Sequence, residues 1–206
     1  MKQRILSLIA MALMLLVLFT ACSDIGTKTD TDAGASEETT VSSEETTQQE
    51  TEEKTHNVFG KFEAVTVDGE KVDQTLFEGK ITMVNIWATY CGPCVKEMPY
   101  FETISKEYAD KNFQIVGIVS DVYMYSDGSH DEGLVSQAKS IIGDTGVSYV
   151  NMLPSAELIN GKLSTIKYVP ETLFLDEEGN LIGESYIGSM SYEDWCGVID
   201  SVLENQ

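Results

Sequence analysis

Residues 81–94 read ITMVNIWATYCGPC, and this stretch constrains the fold more than any other. Ile81–Ala88 is a nearly unbroken apolar run of strand length. Such a run suits a strand buried on both faces rather than one with a wet side. Within a few residues the period changes. Cys94, Met98, Phe101, Ile104 and Tyr108 recur at helical spacing from Pro93 to about Tyr108. A doubly buried strand that runs straight into a helix needs cover on both faces, which points to a layered α/β architecture.

The rest of the chain after residue 56 extends this pattern. Asp68-Gly69 between Phe62–Val67 and Glu70–Val72 is a hairpin signal. Phe113–Ser120 is a second buried-strand run. A polar loop, Tyr125–Gly133, leads to a helix near Leu134–Ile142 closed by Gly143. Ser148–Asn151 is a short strand candidate. Thr172–Asp176 and Leu181–Ile187 flank a turn and form a second hairpin. A helix follows from Ser191 to about Leu203, opened by the capping pair Ser191 and Asp194. The order implies a three-layer α/β sandwich with a mixed central sheet, in which the first strand–helix–strand unit is a parallel crossover.

Composition divides the chain. Lys2 and Arg4 precede an apolar run from Ile5 to Phe19, too short and too early for a membrane span. Residues 23–56 are Ser-, Thr- and Glu-rich, and such a segment cannot bury enough apolar surface to fold. The expected organisation is a signal peptide at 1–21, an acidic tether at 22–56 and one domain at 57–206. Specific reach toward a partner and a plain solubilising spacer are both open readings of the tether. The domain carries 24 acids, nine Lys and no Arg, so it has no basic face for nucleic acid. The segment Phe19-Thr20-Ala21-Cys22 resembles the lipobox of bacterial lipoproteins, although Phe19 stands where that family usually has Leu. The resemblance implies cleavage before Cys22, its lipidation, and residence on the extracytoplasmic face of the cell membrane. The simpler alternative is a plain secretory signal with a chance Cys.

Cys91-Gly92-Pro93-Cys94 carries the chemistry. Cys91 at the mouth of a helix meets unpaired N–H groups and the positive end of the dipole, which stabilise a thiolate. Thiolate is the form that attacks a disulfide. Pro93 suits the first helical turn because it needs no N–H partner. Cys94, one turn further in, is close enough to close a disulfide with Cys91. Cys91 is therefore the expected attacking thiol and Cys94 the resolving one. A zinc half-site is the rival reading. Zinc needs four ligands, and only Cys22, Cys196, His56 and His130 remain, with no second CxxC.

With these residues in place, WATYCGPC resembles the thioredoxin active site, and residues 57–206 resemble the TlpA/ResA-like branch of membrane-anchored thioredoxin-like proteins. Asn85 stands where thioredoxins proper have a buried Asp. Glu97 and Pro99 match a pattern found in several members of the branch, whereas Gly92 departs from members with Glu inside the motif. The resemblance implies a thioredoxin-like fold with an N-terminal hairpin and an insertion around 130–160. It also implies a cis peptide bond before Pro170 facing the dithiol, and a backbone at Val169 that pairs with an extended substrate. The expected partners are disulfide-containing exported proteins and a membrane thiol-relay electron donor. The chain has no NADPH, flavin or quinone motif, so no cofactor is expected.

Other residues have a bland reading beside a functional one. Glu97, three residues after Cys94, leans toward the helix N-terminus and is placed to move the Cys94 proton; its rival reading is an exposed helix acid. Trp87 is expected both to shield the site, as a substrate-side residue, and to join the core. Cys196 reads as a buried, inert thiol on the stripe of Tyr192, Ile199 and Leu203, against a third redox thiol. Asp127, His130, Asp131 and Glu132 could suggest a metal loop, but Asp131 is more simply a helix cap. A lipoprotein binding module on the same scaffold is the competing class of function. Gly92 and Pro93 are the pair found inside the thioredoxin motif, whose potential is about −270 mV, so a reductant is expected.

If Cys22 is lipidated, palmitate labelling and globomycin-sensitive processing both depend on it. A Cys22→Ala chain that still fractionates tightly with membrane would point to an uncleaved helix instead.

Overall fold

The computed structural model describes residues 57–206. The segments expected as signal peptide and tether, with Cys22, lie outside the described residues. At the centre stands β3 (Ile81–Trp87), buried at all seven positions. It pairs in parallel with β4 (Phe113–Val119), from Ile81 opposite Phe113 to Trp87 opposite Val119. On its other side it pairs antiparallel with β6 (Glu171–Leu175). β5 (Asn151–Met152) and β7 (Leu181–Ile187) complete a mixed sheet in the order β5-β4-β3-β6-β7. The expected mixed sheet is thus present. A separate hairpin, β1 (Glu63–Val65) and β2 (Lys71–Asp73), docks on the β5 edge. There Val67 N–H bonds Asn151 O at 2.9 Å and Leu153 N–H bonds Val65 O at 2.8 Å. Covering that edge removes an exposed row of strand donors and acceptors.

The two faces of β3 explain the layers. Met83, Ile115 and Phe174 pack under Phe101 and Ile104 of α1 (Gly92–Glu107) and under Trp195 and Ile199 of α4 (Tyr192–Glu204). Val84, Ile86, Val116, Ile118 and Leu173 face the opposite way, against Phe59, Phe62, Phe77 and Leu158 of α3 (Ala156–Asn160). α2 (Glu132–Thr145) contributes Ala138 to a third cluster with Trp87, Met98 and Val119. Phe101 and Trp195 meet edge to face with centroids 5.5 Å apart, a geometry worth about 0.5–1.5 kcal/mol beyond burial. Among the described residues no helix is long and apolar enough to cross a membrane.

Local signals held where a cap or turn residue carried them. Asp131 caps α2 by accepting from Leu134 N–H at 2.9 Å. Ser191 caps α4 through Asp194 N–H at 3.1 Å. The second helix departs from expectation. It runs to Thr145, and Gly146, not Gly143, ends it in the left-handed conformation at φ 71°. Gly146 N–H caps the carbonyls of Gly143 and Ile142, so Gly143 is an interior residue. The strand read at Ser148–Asn151 is displaced to Asn151–Met152. α3, five residues long and capped by Ser155, is too short to show a period.

Gly117 sits where the sheet leaves no room. A Cβ there would collide with Asn151 Oδ1, the acceptor of Trp87 Nε1–H at 2.9 Å. Gly117→Ala should destabilise the domain by about 1–3 kcal/mol in urea unfolding. A change within about 0.5 kcal/mol would mean that Asn151 moves aside without penalty.

Candidate active site

Four residues, 88–91, join β3 to α1. Cys91 N–H bonds Ala88 O at 3.0 Å, which turns the chain. Cys91 then occupies the N-cap of α1, with Pro93 in the first turn. Its sulfur lies 3.2 Å from the backbone nitrogen of Cys94, whose N–H points at it. This is one of the unpaired donors of a helix start, placed where it stabilises sulfur carrying negative charge. Cys91 and Cys94 are joined as a disulfide, with Cα atoms 5.3 Å apart. The two sulfurs are not equivalent. Cys91 is 6% exposed and Cys94 is 0% exposed.

The segment before β6 faces Cys91. The Val169–Pro170 peptide bond is cis. The Val169 carbonyl oxygen lies 3.7 Å from Cys91 Sγ. Tyr90 and Tyr168, adjacent in sequence to Cys91 and Val169, are both exposed. The sequence reading passed over these two; their only signal is adjacency to the motif and to Pro170. Trp87 corrects an expectation. Its ring is wholly buried, packed with Cys91, Cys94 and Met98 and fixed by Asn151, so it forms the floor beneath the dithiol and offers no surface to a substrate.

Three residues after Cys94 on α1 is a buried polar group. Glu97 is 1% exposed, which overturns the exposed-acid reading. Its Oε2 accepts from Met190 N–H at 3.3 Å and, at 3.5 Å, from Trp195 Nε1–H. Burial pushes the Glu97 carboxyl up from 4.5 to about 7, against the opposing pull of hydrogen bonds from Trp195, Met190 and Asn85. Asn85 donates to Thr172 Oγ1 at 3.0 Å. Glu97 Oε1, Asn85 Oδ1 and the Tyr149 hydroxyl have no partner among the described residues. Burial, followed by the nearby carboxylates of Glu97 and Glu102, pushes the Tyr149 hydroxyl up. Tyr149 was not singled out in the sequence, since a Tyr in an apolar stretch reads as core. Glu102 is a second buried acid, tied to Ser148 N–H at 2.7 Å, Ser148 Oγ at 2.8 Å and Lys106 at 2.7 Å. It anchors α1 to the chain before β5.

The other candidates are occupied locally. Asp127 accepts from Ser129 N–H and Oγ, Asp131 accepts from Tyr125 OH at 2.9 Å, and His130 Nε2 is 2.7 Å from Pro154 O. Cys196 is a free thiol and only half-buried, beside the hydroxyls of Tyr108 and Tyr192, where full burial was expected. It lies on α4 rather than at the dithiol. A cleft of about 650 Å³ lined by Glu63, Lys71, Met124, His130 and Ser155 includes no residue of the dithiol segment.

The raised Glu97 carboxyl has a sign consequence for stability. Below about pH 4.5 folded and unfolded chains both hold the proton; between about 4.5 and 7 only the folded chain does. Stability from this group therefore falls as pH rises through that window, by about 3 kcal/mol in all. Glu97→Gln should remove this slope, so the wild-type minus variant difference in urea unfolding should change between pH 4 and pH 8. A flat difference would return Glu97 to the ordinary carboxylate range.

Comparison with known proteins agrees with this geometry. Residues 54–186 match the Redoxin family. The chain is 32% identical over 133 residues to the thioredoxin-like protein YneN of Bacillus subtilis (strain 168), covering 65% of this chain and 71% of that one. It is 23% identical over 141 residues to the thiol-disulfide oxidoreductase ResA of Bacillus thuringiensis (strain Al Hakam), covering 68% and 74%. A thioredoxin-family thiol:disulfide interchange protein from Chlorobium tepidum TLS superposes with a TM-score of 0.57 at 26% identity, over 72% of this chain and 95% of that one. With its thioredoxin-like fold and Cys91–Cys94 pair, the chain belongs to the Redoxin family and is a TlpA/ResA-like thiol–disulfide oxidoreductase.

Proposed function

We propose that the chain reduces disulfides of exported proteins from the extracytoplasmic face of the cell membrane, held there by lipid on Cys22. The observation that carries the catalytic part is the asymmetry of the dithiol. Cys91 reaches the surface at a helix start, opposite the Val169 carbonyl, while Cys94 is sealed inside. The location rests on the apolar segment ending at Cys22 and its resemblance to a lipobox.

In this reading the Cys91 thiolate attacks one sulfur of a substrate disulfide. A mixed disulfide forms, and the other substrate sulfur leaves as a thiolate that takes a proton from solvent. Val169 offers its backbone to the extended substrate segment, and Pro170 holds that backbone against Cys91. Cys94 then gives up its proton and attacks Cys91 Sγ. The second substrate sulfur departs, and the Cys91–Cys94 disulfide remains. Glu97, a carboxyl poised near neutrality, is placed to receive the Cys94 proton. Two electrons and two protons must then come from a separate reduced dithiol, which the reading assigns to a membrane thiol-relay donor.

The direction follows from electrostatics. Strong oxidants owe their potential to a heavily stabilised thiolate. From Trp87 to Val95 there is no Lys, Arg or His, so the helix start is the main stabiliser of Cys91. Cys91→Ser should abolish disulfide exchange, and Cys94→Ser should accumulate mixed disulfides with substrates in cells. Full multiple-turnover activity in Cys94→Ala would remove the two-thiol scheme. Equilibration against dithiothreitol and glutathione should give a potential near the thioredoxin value of about −270 mV. A value above about −180 mV would reverse the direction of electron flow.

A further inference from the structure

The loop that presents Cys91 is gripped from the neighbouring strand. β4 ends at Val119, and the next two residues reach across to the loop. Ser120 donates from N–H and Oγ to Trp87 O at 2.8 and 2.9 Å. Asp121 accepts from Thr89 N–H at 3.0 Å (Oδ1) and 3.1 Å (Oδ2), and from Thr89 Oγ1 at 2.6 Å. Thr89 is 8% exposed, so its N–H would otherwise be a poorly hydrated orphan donor. Bonds to a carboxylate are roughly twice as strong as neutral ones. Thr89 lies two residues before Cys91. Its anchoring sets where Cys91 N–H meets Ala88 and where Cys91 Sγ meets the Cys94 amide.

A neutral acceptor would also give Thr89 N–H a partner, through a weaker bond. A carboxylate adds a negative charge in a half-buried position against the backbone of Thr89, two residues before the reactive sulfur. No cation lies between Trp87 and Val95 or between Val119 and Ser129 to offset it. The other ionisable groups of these segments and of the facing strand entry are Tyr90, Lys96, Glu97, Tyr123, Tyr125, Asp127, Lys167 and Tyr168. Lys96 and Lys167 are exposed, where solvent screens them. The helix start favours thiolate at Cys91, and the Asp121 charge opposes it.

We infer that Asp121 is a positioning residue of the redox loop that also sets its driving force: it holds Thr89, and through it Cys91, while its charge disfavours the Cys91 thiolate and keeps the pair reducing. This deepens the reading of Cys91 as the attacking thiol. A less stabilised thiolate is present in smaller amount but is a better nucleophile, and the reduced form gives up its electrons more readily.

Asp121→Asn separates the two roles, because the amide keeps an acceptor for Thr89 N–H and removes the charge. In the full chain, equilibrated with dithiothreitol, this variant should shift the equilibrium toward the dithiol by about three- to tenfold, or about 15–30 mV, with Cys91 titrating at lower pH. The shift should shrink as salt is raised, which a purely structural role would not cause. Asp121→Glu should return the potential toward wild type. Asp121→Ser, neutral and smaller, gives the same readout if the amide disturbs packing. Neutral variants with the wild-type potential and the wild-type Cys91 titration at low salt would overturn the inference. A wild-type chain that exchanges no disulfides would instead overturn the oxidoreductase reading itself.

Discussion

The N–H of Cys94 pointing at the sulfur of Cys91 is the contact around which this domain is arranged. It exists only because a strand buried on both faces runs into a helix with four residues between them. The strand cannot shift, since a slip of one residue would exchange its two apolar faces. The helix start is favoured here by Pro93, which suits a first turn because it needs no N–H partner. Sulfur is thereby delivered to a helix start with an accuracy set by sheet and core rather than by the loop. The loop in turn is held from β4 through Ser120 and Asp121.

A buried acid on α1, three residues after Cys94, works against stability. Glu97 sits among Trp195, Met190 and Asn85 and is desolvated, so its charged form is disfavoured. The surrounding hydrogen bonds offset part of that penalty. A carboxyl balanced near neutrality exchanges its proton near pH 7. The same balance leaves the folded state less stable at alkaline pH than a neutral side chain would.

Much of the fold was legible because its signals are local. The runs Ile81–Trp87 and Phe113–Val119 are apolar over their whole length, and Asp131 and Ser191 act on N–H groups within three residues. Where the signal was a single glycine, it misled: Gly143 and Gly146 look alike along the chain, and only packing decides which one ends α2. The dithiol was legible for the same local reason, since Cys-x-x-Cys before a helical period brings both sulfurs to one turn.

Residue order alone set the strand–CGPC–helix unit, the mixed α/β layering and the thiol chemistry, because each depends on neighbours a few positions away. Tertiary structure decided the rest. Glu97 became a proton-holding group through burial by distant segments, although the hydrogen bond from Trp195, 98 positions on, opposes that shift. Trp87 became a floor rather than a binding surface through Asn151, 64 positions on. The redox loop acquired its clamp from Asp121, 32 positions after Thr89. The physical reason is common to all three. Hydration and hydrogen-bond partners determine what a polar side chain does, and both are set only when distant segments close over it.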